Sequence, residues 1–192
     1  MGKARIMGNT RAMGVGQIFV FIIAALTFGL IMIFGYKAIG GFLQSGEDVA
    51  FVQFKTDLES SIQKIYTEYG SVRIEEFRLP AKYERICIVD MDYPAEKMSA
   101  EMDGLCVQHA KACDVWNDAK IAQEAGKSGY ESVDENIFLT PEAPVKLKTF
   151  RISLYDEETR DNVGFLCQDI DGGSVSFVLE GKGDRTELSL KQ

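Results

Sequence analysis

From Val15 to Tyr36 the chain reads VGQIFVFIIAALTFGLIMIFGY, 22 residues without one charge. A helix of that length spans roughly 33 Å, enough to cross a hydrocarbon core of about 30 Å. The ordinary alternative is a buried core helix, but such helices rarely run so far without a polar face. Gln17 and Thr27 are its only strongly polar side chains, and a threonine hydroxyl bonds back to its own helix. A cleavable secretory signal has a shorter apolar core, about 7–15 residues, and ends at small residues. Phe34, Gly35, Tyr36 and Lys37 do not make such a site. The run reads as a retained membrane anchor.

Charge sorts the chain around this anchor. Residues 1–46 hold Lys3, Arg5, Arg11 and Lys37 and no acid, so all 29 acids lie in 47–192. Three bases precede the anchor and only Lys37 follows it closely, which predicts a cytoplasmic N-terminus and an extracytoplasmic body. Tyr36 suits the outer interface as an aromatic anchor. The net charge of −8 argues against nucleic acid as a partner. The expected order is a basic leader 1–14, a transmembrane helix 15–36, an amphipathic helix 37–69 and a β-rich extracytoplasmic domain 70–192.

The body shows two periods. Phe51, Phe54, Leu58, Ile62, Ile65 and Tyr69 recur at helical spacing, with Ser45-Gly-Glu-Asp48 as a helix start and Gly70 as a stop. Gly40 and Gly41 stand before this stripe, either as a hinge or as a weak point in one long helix. After Gly70 the period becomes two. Strands are expected at Val72–Leu79, Ile86–Val89, Ile137–Leu139, Val145–Leu154, Val163–Cys167, Val175–Leu179 and Thr186–Leu190. Phe150, Ile152 and Leu154 alternate with Arg151, Ser153 and Tyr155. Residues 90–135 read as polar and irregular, with one helical piece at Asp118–Ala125. The fold class is therefore α+β, a long N-terminal helix packed on a mostly antiparallel sheet with one inner face.

The four cysteines, Cys87, Cys106, Cys113 and Cys167, all fall on the expected outer side. An even number in an oxidising compartment reads as a disulfide framework with three possible pairings. Cys106 and Cys113 bracket a short loop, and Cys87 and Cys167 sit at strand-like positions, which favours 106–113 with 87–167. The competing reading is a metal site of Cys106, His109 and Cys113, with Cys87 or Cys167 as a fourth ligand. Structural zinc sites usually carry paired C-x₂₋₄-C knuckles, and this chain has none.

Other constellations favour plain readings. Asp90, Asp92, Glu96, Glu101 and Asp103 lack EF-hand spacing and read as a solvated loop. Gly181-Lys-Gly-Asp184 has no following helix and reads as a hairpin turn. One histidine and no G-x-S-x-G elbow leave little for nucleophilic catalysis. No enzyme activity and no cofactor are expected.

A short basic leader, a retained apolar helix, an amphipathic continuation and a sheet-rich body together resemble type IV pilins and pseudopilins. In that family the leader is cut just before the apolar segment, typically after a glycine. The resemblance implies cleavage after Gly16, with Gln17 as the new N-terminus, and a glutamine there is similar to archaeal members. Two features depart from the pattern. Arg11 lies farther upstream than the family's usual base, and Phe21 stands at the fifth mature position, where many members carry glutamate. The resemblance implies a membrane-anchored, non-enzymatic surface protein. It would act through helix packing in lipid and through ectodomain contacts with copies of itself, a filament or envelope proteins. The alternatives are an uncleaved bitopic binding or sensory protein, or an anchored metal-dependent or carboxylate hydrolase.

Overall fold

The computed structural model describes residues 13–191, with side chains for 16–39 and 46–191. The leader 1–14, apart from its last two positions, lies outside these residues. Two compact units divide the chain, Met1–Glu47 and Asp48–Gln192. Helix α1, Met13–Ile65, carries both the apolar run and the amphipathic stripe. Gly40, Gly41 and Ser45 therefore fall inside a helix: of the two readings of the glycine pair, the one long helix is found, and the helix start expected at Ser45 is not. An interior glycine costs a helix only about 1 kcal/mol, so a pair does not end one flanked by good helix formers.

In the first unit, Gly16–Ile39 is long and apolar enough to cross a membrane, with a mean hydropathy of 2.8 and none of it buried. This is the expected 15–36 span extended to Ile39. One lysine at its edge is tolerated because the long side chain can carry its charge to an interface. The Thr27 hydroxyl lies 3.0 Å from both the Ile23 and Ala24 carbonyls, so its polarity is met within the helix.

The second unit is built around two sheets rather than one. Strands β1 (Val72–Arg78), β4 (Ile152–Asp156), β5 (Asp161–Val163), β7 (Ser174–Gly181) and β8 (Thr186–Leu190) form a sheet in the order β1-β7-β8-β4-β5. Strands β2 (Arg85–Val89), β3 (Ile137–Thr140) and β6 (Phe165–Asp169) form a second in the order β3-β2-β6. Every pairing is antiparallel except that of β4 with β8. The five-stranded sheet has one inner face, seen in the alternate burial of Val175, Phe177 and Leu179 on β7.

The central strand of this smaller sheet, β2, is buried on both faces, which is why it reads Ile-Cys-Ile-Val without polar alternation. Ile86, Ile88 and Leu139 join a core with the α1 stripe and the inner face of the larger sheet. Cys87, Val89 and Phe138 face the other way, into a second core with helices α2 (Ala95–Gln108) and α3 (Ala110–Glu124). These helices, and the short α4 (Gly129–Ser132), occupy the stretch expected to be irregular apart from one helical piece at Asp118–Ala125, which falls at the end of α3. Their buried positions Met98, Leu105, Ala112, Trp116 and Ala119 do keep a helical period. Two are alanines, and small residues leave a weak apolar signal.

The stripe of α1 is buried at Phe51, Phe54, Leu58, Ile62 and Ile65. Phe54 meets Phe77 edge-on at 6.3 Å, and the Ile62 carbonyl accepts the Thr186 hydroxyl at 2.9 Å. Tyr69 departs from the expectation and is 84% exposed, because the helix ends at Ile65 and the chain turns before β1. At that turn the backbone approaches β7 closely. A Cβ on Gly181 would lie 2.2 Å from the Glu68 carbonyl oxygen, so only glycine fits. The expected strand Val145–Leu154 is shorter, since β4 begins at Ile152 and Leu147 makes only an isolated bridge to Ile137. Arg151 has φ 46, which breaks the pleat and leaves Phe150 half-exposed, out of phase with Ile152 and Leu154.

Truncating the stripe removes core volume. Leu58→Ala or Ile62→Ala should cost about 2–5 kcal/mol in denaturant unfolding of the full chain in detergent. Glu59→Ala, on the same helix but only partly buried, should stay within about 0.5 kcal/mol. Similar small effects for all three would show that the stripe is not core.

Candidate functional site

The structure pairs Cys87 with Cys167 and Cys106 with Cys113. Cys87 and Cys167 are direct cross-strand partners on β2 and β6. The candidate metal ligands Cys106 and Cys113 are thus joined to each other. His109 sits between α2 and α3, and its Nδ1 accepts the Ala112 amide at 3.2 Å as the N-cap of α3. Its Nε2 lies 3.4 Å from the Leu139 carbonyl oxygen. Among the described residues no group of three or more His, Cys, Asp or Glu is placed to hold a metal ion. Gly16 and Gln17 lie in α1 and are exposed.

A cleft of about 290 Å³ opens where strand ends from both sheets gather. Its first wall is the segment leaving β2. The Asp90 amide donates to the Gly164 carbonyl at 2.9 Å, and Asp90 Oδ1 accepts the Asp92 amide at 3.0 Å. Asp92 accepts the Ser128 hydroxyl at 2.9 Å and the Tyr130 amide at 3.1 Å. Gln123 on α3 donates to the Met91 carbonyl at 2.7 Å and also to that of Tyr93. These bonds hold residues 90–93 against α3 and α4.

The opposite wall is set by Asn136, just before β3 and fully buried. It donates to the Thr149 carbonyl at 3.0 Å and accepts the Thr149 amide at 2.8 Å. That clamp fixes the approach to β4, where Arg151 adopts its left-handed backbone and its carbonyl accepts the Thr186 amide at 2.9 Å. A non-glycine residue in that region is uncommon, and such strain clusters at functional positions. Asp184 and Arg185, in the β7–β8 turn, complete the rim and pair at 2.9 Å.

Electrostatics separates these carboxylates. Hydrogen bonding from Arg185 holds Asp184 below its ordinary value, and the Arg151 charge adds to this. Burial pushes Asp90 the other way, up to about 6, against the lowering effects of the Asp92 amide and the Arg185 charge. A partly buried carboxyl driven upward in a cleft is the kind of group that binds or moves protons. The solvated-loop reading of the acidic stretch therefore fails at Asp90 and also at Glu101, which accepts the Gly164 amide at 2.9 Å, while Asp92 is exposed. The hairpin at 181–184 is present. Sequence reasoning does not find Tyr130, Asn136, Arg151 and Arg185. They come from four separate segments, and no local pattern announces that the fold joins them.

Comparison with protein-family models, with curated proteins and with solved structures finds no match.

Because the folded chain raises Asp90 above its unfolded value, the native state binds a proton that the unfolded chain releases between about pH 4 and 6. The resulting stabilisation is full below that window and lost as pH rises through 6. Asp90→Asn should therefore raise stability at pH 7.5, by on the order of 2 kcal/mol, with the gain vanishing near pH 4. Unfolding curves at the two pH values check this. The disulfides make a second prediction. Loops of sequence separation 7 and 80 should contribute about 2–3 and about 4.5 kcal/mol. Reductant should lower the melting temperature by many degrees, and EDTA should leave it unchanged.

Proposed function

We propose that this chain is a membrane-anchored, non-enzymatic surface protein of pilin-like organisation, with its N-terminus in the cytoplasm and its disulfide-braced body outside. The carrying observation is the unburied apolar segment Gly16–Ile39 on a chain whose residues 48–192 hold their own core. So much exposed apolar surface is incompatible with water and matches lipid. The flanking charges favour the stated orientation, and two disulfides fit an oxidising compartment on the outer side. The only histidine caps a helix, which supports a role without imidazole catalysis. In this reading the apolar helix packs laterally in lipid with copies of itself or with envelope proteins, and the acidic body makes the outer contacts.

A second reading, an uncleaved bitopic binding protein, is favoured by the cleft beside Asp90 and by Phe21, which cannot supply the charge that many pilins place there. Intact mass of the protein purified from its native membrane separates the two. The pilin-like reading expects loss of residues 1–16 and a chain beginning at Gln17. A full-length mass overturns that reading and leaves the bitopic one. Protease added to intact cells should digest the body in both cases, and a fully protected body would overturn the orientation.

A further inference from the structure

We propose that the cleft at the ends of β2 and β4 is a binding site for a free α-amino acid, whose carboxylate pairs with Arg151 and whose ammonium pairs with Asp90. Such a site stands whether or not the leader is removed. The charges in the cleft carry the proposal. Asp184 and Arg185 neutralise each other at 2.9 Å. Asp92 is engaged by the Ser128 hydroxyl and the Tyr130 amide. Asp90, Asp92 and Arg151 have no ion pair within 4 Å among the described residues. Both Asp92 oxygens accept the Ser128 hydroxyl, which leaves the carboxyl of Asp90 and the guanidinium of Arg151, the latter 4.9 Å from the Phe150 ring. One is an anion and the other a cation. A ligand that satisfies both carries both charges itself.

The surroundings fit such a ligand. Asp90 has one oxygen on the Asp92 amide, and its carboxylate form is the costly one in this setting, so an arriving ammonium has a charge to stabilise. Arg151 offers a planar fork suited to a carboxylate. It occupies a backbone conformation that glycine would hold without strain. Met91 and Ile152, both buried, supply apolar lining for a carbon skeleton. A volume of about 290 Å³ lies at the small end of ligand pockets, which excludes a large molecule. Occupancy should depend on pH. Asp90 feels the charges of Asp92 from its own segment and Arg185 from the β7–β8 turn, acts on the Tyr93 phenol, and shares the cleft lining with Tyr130 from α4, Arg151 from the approach to β4, and Asp184. Protonation of Asp90 removes the charge that holds the ammonium.

The test is calorimetric titration of the full chain in detergent with the twenty L-amino acids singly at pH 7.5. Propionate and propylamine serve as single-charge controls. At least one amino acid should bind with a Kd near or below about 1 mM, and both controls at least about tenfold more weakly. Arg151→Gly keeps the backbone conformation, so its melting temperature should be unchanged or higher while affinity falls by about tenfold or more. Asp90→Asn should lose affinity similarly. Moving to pH 5 should weaken binding to the unsubstituted chain but not to Asp90→Asn. The proposal is overturned if no amino acid binds, if propionate or propylamine binds as tightly as the best amino acid, or if Arg151→Gly folds and binds unchanged.

Discussion

Burial of β2 and β3 on both faces is the constraint on which the rest of the second unit depends. With Ile86 and Ile88 in one core and Cys87 and Val89 in the other, β2 has no face left for water. A strand so placed cannot slip by one residue without sending every side chain to the wrong core, so its register is strongly specified. The Cys87–Cys167 bond closes the same ladder covalently. The segment leaving β2 inherits that fixity. Asp90 is the next residue after Val89, and its amide is bound to Gly164, between β5 and β6. The carboxyl is thus carried into a partly dry position by packing that has nothing to do with its own polarity.

A second division concerns solvent. The apolar surface of α1 faces two environments. Gly16–Ile39 has apolar side chains around its circumference and none of it buried. Residues 51–65 are apolar on one stripe, and that stripe is buried against sheet and turn. All-round hydrophobicity suits lipid and a single stripe suits a protein core. One helix therefore carries two apolar patterns, and their arrangement around its axis distinguishes them.

Much of this was legible in the sequence. The membrane-length run, the stripe from Phe51 to Ile65, the α+β class and strand β8 were all read from periodicity. Three things were not. The division into two sheets was hidden because β2 and β6 give short apolar runs whether one face or two are covered. Helix α2 and the first half of α3 were hidden, while the helical piece read at Asp118–Ala125 matches the end of α3: α2 buries only Met98 and Leu105, and Ala112 and Ala119 of α3 bury little surface among polar neighbours. The cleft was hidden for a deeper reason. Asp90, Asn136, Arg151 and Arg185 are far apart in sequence, and the left-handed backbone at Arg151 leaves no signature in the neighbouring residues, unlike the glycine such a position favours.

The doubly buried strand β2 should impose an unusual environment on Asp90, and every property of the cleft rests on that. Carbon-detected NMR of the Asp90 side-chain carboxyl, titrated in the intact protein, measures it directly. Titration near pH 6 is the expected result. A midpoint near the ordinary value of about 3.9 would contradict it, because the carboxyl would then be solvated and the packing that is held to position the cleft would not reach it.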